Sequence, residues 1–394
     1  MRKIGWSVLV LVVAAGIGWW AIGPQWRLFL SDPPSDTNVL FWTQSQRDAG
    51  FALSDRIPTI DTRPIAANGT ARPLPDGPPL ALDVDIDAFM AAQNSAAVLI
   101  LHKGKLRLER YGLHQDRDAR WTSFSVAKSV TSTLVGAAIR DGYIGGLDDK
   151  VSDYVAGLKG SAYDNVSIRQ LLTMTSGVRW LEDYADPQSD VALFRSVEPV
   201  AGEASLVTYM KRLPRAHPPG EVFNYSTGET NLVGVLVSEA VGMGVAAYLS
   251  QVIWTPYGME HDGSWVTSST GEEISGCCIQ ATARDYARFG QFVLEDGRIG
   301  DGSPLRDGWI AEATGLQQPI PDDDGRDYGY QWWILDQGTF AAIGIFGQSI
   351  FVDPGRELVT VTHASWQDSR GKAAGQSAGR SAFWDAVQAA IDAE

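Results

Sequence analysis

Hydrophobic and polar positions divide the chain into three stretches. An uncharged apolar run opens it, a proline-rich stretch without period follows, and a long body shows helical and strand periods in turn. Residues 27–80 are rich in Pro, Asp, Gly and Arg. Within them Val39–Gln44 is apolar enough to pack onto the body, and Arg72–Pro79 reads as a stiff linker. In the body, Asp83–Gln93 has helical spacing, with Ile86, Phe89 and Met90 on one face. Ala97–His102 and Leu106–Tyr111 read as strands of a hairpin turning at Lys103–Gly104–Lys105. Val126–Ile139 is apolar and small, broken only by Ser, Thr and one lysine, which predicts a helix buried on all sides. From Gly142 to Leu249 the pattern is helices and loops, with helical segments at 167–174, 204–212 and 230–249. Strand character returns at 330–335, 339–345, 348–352 and 358–363, and Arg380–Asp392 closes the chain as an amphipathic helix. Strands and a helix at both ends with helices between predict an α+β body over residues 81–394, carrying an all-helical insertion at about 142–280.

The opening run, Ile4–Ile22, follows Arg2 and Lys3 and ends among Trp19, Trp20 and Trp26. Its length suits one bilayer span and the tryptophans suit an interfacial belt. Residues 1–26 are therefore expected to be a retained membrane anchor, with the body on the periplasmic or extracellular side of the cell membrane. A cleaved signal peptide and a secreted body are the competing reading. The one small-x-small site, Ala21–Ile22–Gly23, is followed by Pro24, a poor position for cleavage.

Composition narrows the function. A net charge of −15 argues against a nucleic-acid partner, which would want a basic face. The adjacent Cys277 and Cys278 form no disulfide framework and are expected to be free and buried. His102, His114, His217, His261 and His363 are scattered without ligand spacing, so neither a metal nor a cofactor is expected.

The candidate chemistry begins in the buried helix. Ser125 and Lys128 stand three residues apart and share a face. Burial disfavours the charged form of a lysine, and a lysine of lowered pKa can take the proton of a neighbouring serine hydroxyl. Two rival serines read less well. Ser369–Arg370–Gly371–Lys372 repeats the spacing, but in a polar run that reads as loop. Gly375–Gln376–Ser377–Ala378–Gly379 fits the G-x-S-x-G elbow, yet no buried strand precedes it and no histidine follows. Tyr225, in a turn before a helix, reads either as a packed aromatic or as a proton shuttle whose phenol pKa a lysine ammonium would lower.

Ser125-x-x-Lys128, then Tyr225–Ser226–Thr227, then Ala342–Ile343–Gly344 resembles the serine β-lactamase and penicillin-binding-protein superfamily. Within it the chain is similar to the class C-like branch of esterases and 6-aminohexanoate-dimer hydrolases. Leu171–Tyr184, Ala281–Gly290 and Gly344–Pro354 strengthen the likeness. The resemblance implies a β-lactamase/transpeptidase-like antiparallel sheet flanked by helices and a Ser-Lys-Tyr acyl-enzyme mechanism. It also implies an oxyanion hole at the Ser125 and Ile345 N–H groups, and substrate contacts from Tyr184, Gln280, Gly344 and Phe346. Two positions depart from the pattern: Thr227 replaces the Asn that ends the second motif, and Ala342 replaces the Lys or His that opens the third. Without that cation a substrate carboxylate loses its usual partner, which favours an ester or small-amide substrate. A β-lactamase or D-alanyl-D-alanine carboxypeptidase-type cell-wall enzyme is the alternative, and a non-catalytic binding protein on the same fold is a third reading.

Overall fold

The computed structural model describes residues 13–14, 16–36, 38–320 and 325–394. Much of the expected anchor, residues 1–12 and 15, lies outside that range. No single described helix is long and apolar enough to cross a membrane.

Among the described residues, eleven strands form two antiparallel sheets. They are β1 (Thr62–Ile65), β2 (Ser95–His102), β3 (Lys105–Tyr111), β4 (Arg120–Thr122), β5 (Gly263–Val266), β6 (Ile279–Thr282), β7 (Asp327–Tyr328), β8 (Trp333–Ile334), β9 (Phe340–Ile343), β10 (Ser349–Asp353) and β11 (Leu358–Ala364). The large sheet runs β3-β2-β11-β10-β9-β8-β7, and the small one β1-β5-β6-β4. β2 is buried on both faces, which explains its unbroken apolar sequence. Its Val98 and Ile100 face Met90, Phe383, Trp384 and Val387 of the helices Ile86–Gln93 and Gln376–Asp392. The alternate residues Ala97, Leu99 and Leu101 join the main core with the Val126–Arg140 and Ala283–Leu294 helices. The sheet is thus a layer between helices, and the mixed α and β architecture of the sequence reading is present.

The Val126–Arg140 helix is buried from Val126 to Ala138. Its small hydroxyls clamp distant backbone: Ser129 donates to Gln331 O at 2.6 Å, Thr131 to Ser275 O at 2.8 Å and Ser132 to Tyr330 O at 2.7 Å. Gly136 lets the Trp309 ring lie flat on the helix, since a Cβ there would stand 2.5 Å from it.

Several elements differ from expectation. The single helix expected over 230–249 is two, Thr227–Val241 and Val245–Leu249, because Gly242 takes a left-handed φ of 72° and stops the first. The strand expected at 330–335 shrinks to Trp333–Ile334. Gln331, also left-handed, turns its side chain into the core, accepting from Thr230 and donating to Leu171 O and Leu172 O. The last helix begins at Gln376, not Arg380. The small sheet was not foreseen at all: its strands are three or four residues long and far apart in sequence.

Candidate active site

β4 leads into the turn that carries the first motif. Ser123 ties that turn to β6 twice, its N–H donating to Ile279 O at 2.8 Å and its Oγ accepting from Ile279 N at 2.9 Å. Phe124 sits at a left-handed φ of 40°, an arrangement a phenylalanine keeps only when packing holds it. Here Phe51 and Phe346 hold the ring, with centroids 4.9 and 5.4 Å away. Ser125 then caps the helix without using its hydroxyl as the cap. That oxygen accepts instead from Lys128 Nζ at 3.0 Å.

Lys128 is 1% exposed. Its ammonium has three protons and three acceptors: Ser125 Oγ, Thr227 Oγ1 at 2.9 Å and Gly276 O at 2.7 Å. Gly276 approaches closely because it has no side chain; a Cβ would meet Thr227 at 2.7 Å. Burial lowers the lysine pKa to about 8, with the charge of Glu182 opposing. The Tyr225 ring lies 5.2 Å from Nζ and is stacked on Trp333 at 5.6 Å. Its phenol departs from the sequence expectation. Burial, helped by Glu182, raises its pKa well above the usual value, and only a hydrogen bond with Ser125 pulls the other way. Desolvation outweighs the nearby ammonium, so Tyr225 stays protonated at neutral pH.

Glu182 is the residue the sequence reading missed. One carboxylate oxygen accepts from Thr227 Oγ1 and from Tyr184 OH at 2.8 Å; the other accepts from Thr227 N at 3.0 Å and from Trp180 Nε1. Thr227 therefore bridges Glu182 and Lys128, which accounts for a hydroxyl where the motif has Asn. The only local signal was an acid between Trp180 and Tyr184.

Ser125, Glu182, Tyr184, Tyr225, Gly344 and Ile345 line one cavity of about 300 Å³. Gly344 brings β9 against the Ser125 turn; a Cβ there would lie 2.6 Å from Ser123 O. Among the described residues, neither the Ser125 nor the Ile345 N–H is taken up by a turn, loop or side-chain acceptor. Two expected contacts lie elsewhere. Phe346 is buried in the aromatic cluster behind the turn, beneath Arg47. Gln280 is fully buried on β6, paired with Ser264 and Thr122, and is absent from the cavity wall because β6 is an interior strand. Ala342 also points into the core, while Ile343 reaches the cavity.

Segments that carried no chemistry in sequence turn out to frame the site. Arg47, within Gln44–Gly50, donates to Trp366 O at 3.1 Å and Gln367 O at 3.0 Å, so the amino-terminal stretch holds a cavity wall. Ser369, Lys372 and Ser377 line that wall, but Ser377 lies in the last helix with no strand before it. Cys277 and Cys278 correct a further expectation, for they are joined in a disulfide. Their turn is set from outside, by Asn231 accepting from Gly276 N at 2.8 Å and Trp265 Nε1 donating to Cys277 O at 2.9 Å, and Cys278 takes a left-handed φ. Backbone held that way brings neighbouring thiols together.

Residues 82–380 match the Beta-lactamase family. A curated relative, the 6-aminohexanoate-dimer hydrolase of Paenarthrobacter ureafaciens, is 29% identical over 80% of this chain and 82% of its own length. Among solved structures, a proposed 6-aminohexanoate-dimer hydrolase from Bacillus anthracis superposes with a TM-score of 0.76 at 22% identity, over 90% of this chain and 97% of that one. EstCE1, a hydrolase with promiscuous acyltransferase activity, does so with a TM-score of 0.62 at 14% identity, over 77% and 96% of the two chains. At those identities the structural matches speak for the fold alone.

Proposed function

Because this chain belongs to the Beta-lactamase family, we propose that it is a serine hydrolase cleaving ester or small amide bonds through an acyl-enzyme on Ser125. The observation that carries this reading is the 3.0 Å contact between Ser125 Oγ and Lys128 Nζ at the floor of the cavity. A lysine whose pKa burial lowers to about 8 is neutral in about a tenth of the molecules at pH 7, far more than an ordinary lysine. In that form it accepts the hydroxyl proton as Ser125 attacks the carbonyl. The Ser125 and Ile345 N–H groups stand ready for the developing oxyanion, a role usually worth several kcal/mol. Tyr225, which burial keeps protonated, donates to the leaving alcohol or amine. Lys128 passes its proton on to Tyr225, which restores both groups, and water then attacks the acyl-enzyme, with Lys128 again taking a proton that returns to Ser125 Oγ as the acyl bond breaks. The Paenarthrobacter relative, a 6-aminohexanoate-dimer hydrolase, supports an amide substrate, and the apolar Ile343, Ile345 and Trp333 in the wall suit a compact acyl chain. The same proposal keeps residues 1–26 as an anchor with the body on the outer side, on the strength of Arg2, Lys3 and the uncharged Ile4–Ile22.

The test is covalent. A serine-reactive fluorophosphonate should label Ser125 and spare Ser369 and Ser377, and Ser125→Ala should abolish both labelling and turnover of p-nitrophenyl esters with the fold intact. Labelling at Ser369 or Ser377 would move the site. A penicillin probe that acylates Ser125 as fast as the phosphonate would turn the reading to a cell-wall enzyme or β-lactamase, and no acylation by any probe would leave a binding protein.

A further inference from the structure

The segment that gives Lys128 its third acceptor also holds the turn that carries Ser125. Gly276 O accepts from Lys128 Nζ at 2.7 Å, the shortest of the three contacts of that ammonium. Three residues on, Ile279 is bonded twice to Ser123, which lies two residues before the nucleophile. Between those two points stand Cys277 and Cys278, joined to each other. The two ends of the segment are held unequally. Ile279 belongs to β6, which pairs with β4 on one side and β5 on the other. Gly276 has no side chain to pack, so its torsions are soft. Its N–H donates to Asn231 Oδ1 at 2.8 Å. Among the described residues the Gly276–Cys277 peptide makes two hydrogen bonds, through its carbonyl with Lys128 and through its N–H with Ile274 O at 3.0 Å. Cys278 takes a left-handed φ of 75°, which a cysteine keeps only when something holds it there. The bond to Cys277 supplies that hold, because a ring through both side chains ties the torsions of the two residues together. Cys278 is 9% exposed and lines a small cleft with Thr122 and Phe124, while Cys277 is the more exposed of the pair.

We propose that the Cys277–Cys278 disulfide is a positioning element for Lys128: it fixes the Gly276 carbonyl against Nζ, and a dithiol that opens it slows the enzyme. This rests on the serine-hydrolase reading of Ser125. Opening is an exchange. One thiolate of the dithiol attacks a cysteine sulfur and breaks the bond between the cysteines, and its second thiolate then displaces the protein from the mixed disulfide. The dithiol leaves as a cyclic disulfide, and its two electrons and two protons end on the protein as two thiols. The freed Gly276–Cys277 peptide turns away from Nζ. An ammonium that loses an acceptor is disfavoured against the neutral amine, so the lysine titrates at lower pH. The amine also loses its aim at Ser125 Oγ. Glu182, acting through Thr227, and Tyr225, whose ring lies 5.2 Å from Nζ, face Lys128 from the other elements and are untouched by the exchange. The outer-side placement proposed for the body is a setting in which a disulfide persists.

The test assays the full chain on a p-nitrophenyl ester before and after dithiothreitol, with the freed thiols counted by alkylation and mass spectrometry. On reduction the midpoint of the pH–rate profile should move to lower pH by about one unit. The plateau kcat should fall about tenfold with KM little changed. Reoxidation with diamide should restore both. Cys277→Ser combined with Cys278→Ser should match the reduced enzyme and ignore dithiothreitol. A disulfide that served stability alone would lower Tm and leave the midpoint in place. A reduced enzyme with both thiols counted and an unmoved profile therefore overturns the proposal. Should the serine pair not fold by circular dichroism, reduction of the folded wild type decides; should the reagent free no thiol from the folded chain, the serine pair decides. Failure on both counts would make the ring a folding element and overturn the positioning role as well. Lys128 is also titrated directly by NMR of isotope-labelled lysine, its signal assigned by its loss in Lys128→Met. If that titration moves down on reduction in a chain that cleaves no ester and takes no phosphonate, the hydrolase reading fails and the tether stands.

Discussion

Lys128 and Arg380 are buried cations serving one cavity, and their surroundings are opposite. Lys128 has an acceptor for every ammonium proton, an aromatic face beside it, and a carboxylate reached through Thr227. Arg380 has aromatic faces, and among the described residues its Nε and Nη1 are buried without an acceptor. The first environment is closed by the fold itself and can hold geometry before any substrate arrives. The second leaves two donors without an acceptor and rests on its aromatic faces. Burial alone does not make two cations alike; the count of satisfied donors separates them.

Breaking the closed end should cost most. Lys128→Met removes the proposed base for Ser125 and frees Thr227 Oγ1 and Gly276 O, and kcat/KM should fall as far as in Ser125→Ala, at least about 10³-fold on esters and amides alike. Residual ester turnover close to wild type would take Lys128 out of the mechanism. The wild-type profile carries the same information in its pH dependence. In the proposed mechanism the neutral lysine is the active form, so activity should rise with pH and level off above about 8. Next comes Tyr225→Phe, which keeps the ring stacked on Trp333 but deletes the proton donor. The loss should be about 10²–10⁴-fold for amides and smaller for p-nitrophenyl esters, whose leaving group departs without a proton. Equal losses on the two substrates would reduce Tyr225 to packing.

How far these residues could be read in advance follows from how far apart they are. Ser125 and Lys128 lie on one helical face, and the apolar run around them announces burial, so their pairing is local information. Tyr225 was visible only as part of an ordered set of motifs, and the sign of its pKa shift was not, because that depends on how completely Trp333, Tyr328 and Glu182 enclose the ring. Glu182 and Arg380 carry no local mark. Each becomes meaningful when segments distant in sequence pack together, Glu182 against Thr227 and Arg380 between Trp366 and Trp384. Gln280 shows the converse: a position near the site along the chain whose strand faces it into the sheet. The large sheet was legible in its longer strands, whose apolar residues run unbroken in β2 and alternate in β3 and β11, whereas the small one rests on three- and four-residue strands too short to show a period.

Glu182→Gln sharpens the comparison by touching Lys128 from outside. The carboxylate raises the lysine pKa against desolvation. Removing it should move the midpoint of the pH–activity profile to lower pH, while the amide side chain keeps contact with Thr227. The accompanying loss of rate should be modest, about tenfold. A midpoint that does not move would mean Glu182 only packs.

The smallest effect on activity belongs to Glu229, a buried acid to set beside the two buried cations. Glu229 is 2% exposed and enclosed by Ser176 and Tyr163, with one carboxylate oxygen unpartnered. Burial raises its pKa to about 8, so it resolves its situation by holding a proton, a course a guanidinium lacks. The sign of the linkage follows. With the folded pKa above the unfolded one, the folded state binds more protons between pH about 4.5 and 8. Stability is therefore highest at the acidic side of that window and falls as pH rises through it. Glu229→Gln mimics the protonated form at every pH. Its Tm should stay level from pH 5 to 9 where the wild-type Tm declines, the two proteins differing least at pH 5, with ester turnover little changed at pH 7. Parallel Tm profiles for the two proteins would show that Glu229 keeps its charge, and would require a counter-ion for it.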